Sequence, residues 1–161
     1  MGCSLRIRRA DITDAAVIAD VLRRAFLEFE PLYTPQGFAA TTPDEFQIRR
    51  RIEAGPAWVA LWQDEIAGTA AAVLQGEKGL YVRGVAVLPA ARGCGIAESM
   101  MQEVERFARN EGCSRMFLTT TPFLDSAIRL YERIGFRCTG HADLFGTPLL
   151  KMAKDWNKQI Q

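Results

Sequence analysis

The segment from Val85 to Ala97 constrains the fold of this chain more than any other part of its sequence. It reads Val-Ala-Val-Leu-Pro-Ala-Ala-Arg-Gly-Cys-Gly-Ile-Ala: a strand-forming run, a proline, and a turn with two glycines. Apolar residues then recur at helical spacing, which predicts a helix over Ile96–Asn110. A strand that feeds a helix through a glycine turn is typical of α/β layers. The free N–H groups at such a helix start attract anions, and Gly93 and Gly95 allow close backbone approach, so the turn predicts a phosphate or pyrophosphate site.

The remaining hydrophobic pattern predicts a mixed sheet with helices on its faces. Leu5–Arg9 alternates like a strand, and the next segment has apolar residues at helical spacing: Val17, Ile18, Val21, Leu22, Ala25 and Phe26. Leu27–Thr41 shows no period and is expected to be a mobile loop. Thr42-Pro43-Asp44-Glu45 predicts a helix capped by Thr42. The predicted order is β-α-α-β-β-β-α-β-α-β-β, and the fold class is α/β with a mixed rather than an all-parallel sheet.

Composition excludes several classes of protein. The 161 residues are expected to form one domain, and the formal net charge of +1 gives no general attraction for nucleic acid. No apolar stretch reaches the ~20 residues that a membrane span needs. Four dispersed cysteines and a single histidine, His141, argue against a zinc site and against a Ser-His-Asp hydrolase, so no metal is expected.

The amino terminus was considered as an acylation or export signal. Met1-Gly2-Cys3-Ser4 begins like a myristoylation motif, but Arg6 stands where that motif has Ser or Thr. No apolar region of a signal peptide follows, so we expect a cytoplasmic protein with reduced thiols.

Three nucleotide-binding motifs can be tested against the glycine turn. A phosphate-binding loop of the Walker type fails because no Gly-Lys-Ser/Thr follows. A dinucleotide motif fails because Glu98 occupies the position of its third glycine. What remains is Arg-x-x-Gly-x-Ala, formed by Arg92, Gly95 and Ala97.

This pattern resembles the acyl-CoA pyrophosphate loop of the GNAT N-acetyltransferase superfamily. A second segment, Ala127–Phe136, resembles the family motif A-I-x-L-Y-x-x-x-G-F and follows at a family-like separation. The resemblance covers nearly the whole chain. It implies a GNAT-like acyl-CoA N-acyltransferase fold, with a central sheet of about six to seven strands flanked by about four helices.

The resemblance also implies roles for individual residues. The backbone of Val85, Ala86 and Val87 would bind the pantetheine arm of acetyl-CoA, the co-substrate. The pyrophosphate would be held, mainly by backbone N–H groups, by Arg92, Gly93, Cys94, Gly95, Ile96 and Ala97. Tyr131 would be the general acid that protonates the departing thiolate. Many family members have Asn where this chain has Leu124, and Ser126 is expected to replace its contacts only in part.

Each of these roles has a simpler structural alternative. The side chains of Val85 and Val87 alternate like core residues, Tyr131 could be a packed aromatic, and the position of Cys94 at a helix start accounts for its reactivity without catalysis. The acceptor-side base is left open among Glu28, Glu30, Tyr33 and His141.

The function expected from the resemblance is acetyl transfer from acetyl-CoA to a primary amine of a small molecule or peptide, by direct attack in a ternary complex. The alternatives are a non-catalytic acyl-CoA sensor and, on the glycine turn alone, an NAD(P)-dependent oxidoreductase. A homodimer is possible, and the sequence does not identify the amine.

Overall fold

The computed structural model describes residues 4–156. Within that range one mixed sheet contains seven strands: β1 Leu5–Arg9, β2 Ala57–Trp62, β3 Glu65–Gln75, β4 Gly79–Val87, β5 Arg115–Thr120, β6 Arg137–Leu144 and β7 Thr147–Asp155. The α-helices are α1 Ala15–Phe26, α2 Pro35–Thr41, α3 Glu45–Ala54, α4 Ile96–Asn110 and α5 Asp125–Arg133. No helix in this stretch combines the length and hydropathy that a membrane crossing requires.

The strand order is β1-β2-β3-β4-β5-β7-β6. All neighbouring strands are antiparallel except β4 and β5, which are joined through α4 and run parallel. A parallel pair needs such a crossover connection, whereas the antiparallel pairs β2–β3, β3–β4 and β6–β7 are joined by short turns. The mixed α/β sheet predicted from the hydrophobic pattern is therefore confirmed.

The helices cover both faces of the sheet. On one face α4 packs Ile96, Met100, Val104 and Ala108 against strand residues, as its sequence period predicts. On the other face α1 and α3 pack against the sheet around Val59. Burial of each large apolar side chain contributes roughly 1.5–3 kcal/mol, so these two clusters provide most of the stability of the fold.

The prediction of a mobile loop over Leu27–Thr41 was wrong. The segment forms a 3-10 turn, Leu27–Leu32, followed by α2. Thr34 caps α2 by accepting a hydrogen bond from the Gly37 N–H, with Pro35 at the first helical position. This is a regular helix start, but α2 is too short for its apolar residues to show a period.

Two further details of the prediction need correction. The cap of α3 is Asp44 rather than Thr42, and Gln47 completes a reciprocal capping box with it. Val17 was expected to face the core but is 45% exposed, because α1 directs Ile18 and Val21 inward instead. Cys3 and the rest of the amino-terminal motif before Ser4 lie outside the described residues.

Candidate active site

The site is built around a separation between two neighbouring strands. β4 and β5 pair only from Gly79, Leu80 and Tyr81 to Arg115, Met116 and Phe117. β4 continues to Val87 and β5 to Thr120, but the two strands do not pair with each other beyond this point. Each therefore presents unpaired backbone N–H and C=O groups to the gap, which is an arrangement that can bind an extended polar ligand.

A bulge in β4 accompanies the separation. Opposite β3, Arg83 pairs with Ala71 and Ala86 pairs with Thr69, so β4 contains one residue more than β3 between these pairs. Gly84 lies at the bulge with a φ of +64°, a conformation that favours glycine. Gly84 is not among the predicted site residues, although an isolated glycine in a strand-like run is a known signal for a bulge.

The glycine turn leads from the end of β4 to the start of α4. Gly93 and Gly95 have φ values of +81° and +78°, and a Cβ added to either would meet no atom within 4 Å. Their requirement for glycine is therefore conformational, and the space above them is open to a ligand. Since no side chain caps α4, its first N–H groups remain free to bind an anion.

The side chains of β4 next to the gap belong to the core. Ala86 is buried against the α1 cluster, whereas Val85 and Val87 pack against the α4 cluster. This leaves the backbone of Val85, Ala86 and Val87 as the part that can contact a ligand, in agreement with the role implied by the resemblance.

Arg92 is engaged with the protein rather than exposed as a free cation. Its guanidinium contacts Glu28 Oε1 at 2.6 Å and donates to the Ala25 carbonyl oxygen at 2.8 Å. The side chain thus ties the glycine turn to the end of α1. A direct contact of this side chain with pyrophosphate stays a prediction, and so do the contacts of the Ile96 and Ala97 backbone N–H groups.

Tyr131 lies on α5 and is 6% exposed within the α4-side cluster, beside Phe136 at a ring-centroid distance of 5.7 Å. Burial raises the pKa of its phenol above the ordinary value, because the phenolate would lose its solvation. The hydroxyl carries its proton at neutral pH, as an ordinary tyrosine does and as a general acid must.

Residues at the start of α5 are less constrained. Leu124 occupies the cap position and makes no side-chain cap, and Ser126 is exposed in the first turn. Cys94 is exposed as a free thiol within the glycine turn. A cofactor contact by Ser126 or Cys94 stays a prediction.

An aromatic cluster stands where the Leu27–Leu32 turn, α2 and the segment after β5 meet. Tyr33 packs edge-on against Phe38 and Phe123, at 5.8 and 5.0 Å, and Phe29 stacks on Phe123 at 6.3 Å. Burial raises the pKa of Tyr33, and the nearby hydroxyls of Thr121 and Thr41 oppose that change.

Hydroxyl groups fix α2 to the turn between β6 and β7. Thr147 Oγ1, which is almost fully buried, accepts from the Thr34 N–H at 2.9 Å, and Thr34 Oγ1 donates to the Phe145 carbonyl oxygen at 2.8 Å. The aromatic cluster and this anchor form a wall on the side of the sheet that α4 does not cover.

The four residues considered as acceptor-side bases do not lie close together in the structure. Glu28 is paired with Arg92, Glu30 is exposed, and Tyr33 is buried in the aromatic cluster. His141 pairs in register with Leu150, which pairs with Thr120, so the three share the sheet face that α4 covers. His141 is therefore on the opposite face from the wall formed by α2.

Comparison with known proteins gives a consistent result. The family described as "Acetyltransferase (GNAT) family" matches residues 21–136. The uncharacterized N-acetyltransferase YjgM of Escherichia coli is 32% identical over 149 residues, covering 85% of this chain and 89% of that protein. Human N-acetyltransferase 8B is 34% identical but matches only 53% of this chain and 40% of its own length.

Solved structures share the fold at low sequence identity. The PaiA N-acetyltransferase of Thermoplasma acidophilum in complex with coenzyme A has a TM-score of 0.81 at 15% identity, covering 95% of this chain and 99% of that one. An acetyltransferase from Salmonella typhimurium, solved with acetyl-CoA, has a TM-score of 0.77 at 21% identity, covering 98% and 96%.

Proposed function

This chain belongs to the GNAT family of acetyltransferases, and from that premise we propose that it transfers the acetyl group of acetyl-CoA to a primary amine in a ternary complex. The separation of β4 from β5 beyond Tyr81 is the observation that carries the proposal. It leaves a backbone edge that leads directly to the free N–H groups at the start of α4.

We assign the donor site to these two features. The β4 edge at Val85, Ala86 and Val87 would hydrogen-bond the amides of the pantetheine arm as a partner strand would. The turn that contains Gly93 and Gly95 would receive the pyrophosphate, because backbone N–H groups and the helix dipole both favour an anion there. Relatives solved with coenzyme A and acetyl-CoA share this fold, which supports the choice of donor.

In this proposal the amine attacks the thioester carbonyl directly, the C–N bond forms, and the C–S bond breaks with release of the thiolate. Tyr131 would protonate that thiolate. A tyrosine phenol is protonated at neutral pH, and burial raises the pKa of Tyr131 further above that range. General acid catalysis of this kind contributes typically 10²–10⁴-fold to the rate.

The attacking amine must first lose a proton. Glu28 is engaged by Arg92 and His141 lies on the other sheet face, so neither is placed to take it. We propose that water in the gap between β4 and β5 relays this proton to solvent.

Calorimetric titration of the purified protein with acetyl-CoA, with NADH in parallel, is the first test. We expect micromolar binding of acetyl-CoA and none of NADH. The reverse result would contradict the proposal and favour an oxidoreductase.

A turnover assay then separates an enzyme from a sensor. Release of free coenzyme A is followed with a thiol reagent while primary amines are supplied as acceptors. Acetyl-CoA binding with no release for any amine, together with an unchanged signal in Tyr131→Phe, would favour a binding module instead.

A further inference from the structure

Two arginines meet at the bulge of β4. Arg51 lies in the last turn of α3, and its Nη1 atom is 3.1 Å from the position that a Cβ on Gly84 would occupy. Arg83 precedes the bulge and pairs in register with Ala71, which lines a small cavity together with Arg51 and Gly84. The two guanidinium groups therefore belong to the same face of the sheet, at the point where β4 leaves β5.

Among the described residues these two arginines have neither a counter-ion nor an aromatic ring beneath the guanidinium. On the same helix Arg49 pairs with Glu45 at 2.8 Å, and Arg50 lies over the ring of Phe46. Among residues 4–156, neither Arg51 nor Arg83 forms an ion pair, and the Arg83 Nε atom is enclosed without a hydrogen-bond partner. A buried donor without a partner is destabilising, and a ligand that accepted a hydrogen bond from it would remove that cost.

Their surroundings keep the two positive charges in a poorly solvated place. Both side chains are half-buried, and burial together with the charge of Arg83 lowers the pKa of Arg51. Two like charges near each other repel, and an anion that contacted both would remove the repulsion and supply the missing hydrogen bonds. Guanidinium groups suit carboxylate and phosphate because their N–H groups form a planar fork.

Position along β4 relates this pair to the acetyl donor. If Val85, Ala86 and Val87 hold the pantetheine arm as proposed above, the reactive end of the donor lies in the gap beside the bulge. The side chains of Tyr81 and Phe117 lie at the point where the strands separate, and their ring centroids are 5.4 Å apart. An acceptor amine bound on the α3 side of this point would then lie near Arg51 and Arg83.

We propose that Arg51 and Arg83 select the acceptor: the substrate is a primary amine that also carries an anionic group, a carboxylate or a phosphate, which these two guanidinium groups bind. The proposal rests on the proposed function and narrows its substrate class to small amino acids, their derivatives or phosphorylated amines.

Matched acceptors test the proposal with the full chain and acetyl-CoA. Each L-amino acid of a panel is compared with its own amide, and O-phosphoethanolamine is compared with ethanolamine. The two members of each pair differ mainly in the anionic charge. We expect kcat/KM to be at least tenfold higher for the anionic members, and the two kinds of pair show which anion is preferred.

Substitution then assigns the preference to the two arginines. Arg51→Gln and Arg83→Gln should each reduce the ratio of kcat/KM between anionic and neutral members by about tenfold or more. The KM for acetyl-CoA should not change. Arg50→Gln, one position along α3 and exposed, is the matched control and should keep the ratio.

Equal use of neutral and anionic acceptors would overturn the proposal, and so would an unchanged ratio in both variants. If no acceptor in the panel is acetylated, a binding measurement tests the proposal instead. The CoA-saturated protein is titrated with the N-acetylated amino acids and their amides, and failure of every anionic product to bind also overturns it. Failure of acetyl-CoA itself to bind counts against the proposed function instead.

Discussion

The donor side and the acceptor side that we propose for this site are built in different ways. The donor side is one continuous segment, from β4 through the glycine turn into α4, and its ligand-facing groups are backbone atoms. The acceptor side is assembled from distant parts of the chain. The bond that holds α2 in place joins Thr34 to Thr147, which are 113 positions apart.

This difference has a physical consequence for how each side can vary. Backbone N–H groups are the same in every residue, so the donor side needs only the correct strand, turn and helix conformation. The acceptor side presents side chains such as Arg51 and Tyr33, and their placement depends on helix packing and on long-range hydrogen bonds. Substitutions should therefore affect donor affinity and acceptor affinity separately.

Tyr131→Phe should produce the largest effect, because the proposed role of Tyr131 is in the chemical step rather than on either binding side. We expect kcat to fall about 10²–10⁴-fold while acetyl-CoA affinity and acceptor KM stay within about twofold. Steady-state kinetics and calorimetry measure the two quantities. A parallel loss of acetyl-CoA affinity would show that Tyr131 is a packing residue of the donor side.

Gly95→Val tests whether the donor side depends on its backbone. A β-branched residue at a φ of +78° costs roughly 1–2 kcal/mol, and its side chain would occupy the open space above the turn. We expect acetyl-CoA affinity to fall about 100-fold, which corresponds to about 2.7 kcal/mol.

Gly112→Val is the matched control for this change. Gly112 has a φ of +80° at the other end of α4, and a Cβ there also meets nothing within 4 Å. The two variants should lose similar stability in thermal unfolding, but only Gly95→Val should lose acetyl-CoA binding. Equal loss of binding in both would mean that helix stability, rather than the turn, determines affinity.

Thr147→Val tests the long-range anchor of the acceptor side. The substitution leaves the Thr34 N–H without its partner, which should lower the free energy of unfolding by about 1–3 kcal/mol. We expect acceptor KM to rise about tenfold and acetyl-CoA affinity to stay unchanged. Thr139→Val, on the same hairpin but exposed, is the control and should change neither the free energy of unfolding nor acceptor KM.

The pKa of Tyr131 predicts a loss of stability at alkaline pH. Because burial raises this pKa in the folded state, the folded protein keeps a proton that the unfolded chain loses above about pH 10. The free energy of unfolding should then fall with rising pH, by up to about 1.4 kcal/mol per pH unit. Denaturant titrations from pH 8 to 11 measure this slope, and Tyr131→Phe should reduce it.

Arg92 links the glycine turn of the donor side to the end of α1. Its substitution should have a smaller effect on acetyl-CoA affinity than Gly95→Val. Arg92→Met should weaken acetyl-CoA binding about threefold, and more at low salt than at high salt if the side chain pairs with phosphate. Glu28→Gln removes the partner at 2.6 Å and distinguishes two roles. Direct pairing with phosphate predicts that Glu28→Gln keeps or improves affinity, whereas a role as an anchor to α1 predicts that it weakens affinity like Arg92→Met.

Local sequence determined the donor side in advance. The bounds of α4, the strand before it and the glycines between them follow from apolar periodicity and from the turn residues, and the structure confirms them. The family could also be identified, because its two motifs lie in contiguous segments that form regular structure.

The acceptor side could not be predicted to the same extent. The segment Leu27–Thr41 has no period, and α2 is stabilised by contacts with a hairpin near the other end of the chain. A run such as Arg49-Arg50-Arg51 is typical of a solvated helix face, which describes Arg49 and Arg50 but not the half-buried Arg51. No local signal distinguishes the third arginine from the other two.

The sequence by itself determined the order of elements apart from α2, the glycine turn and the membership of an acetyltransferase family, since each depends on residues that are close along the chain. Only the tertiary structure decided where β4 separates from β5, that Arg92 is held by Glu28, and that Arg51 and Arg83 meet at Gly84. The physical reason is that strand pairing, ion pairs and burial depend on distances between residues that are far apart in sequence, and no local preference specifies those distances.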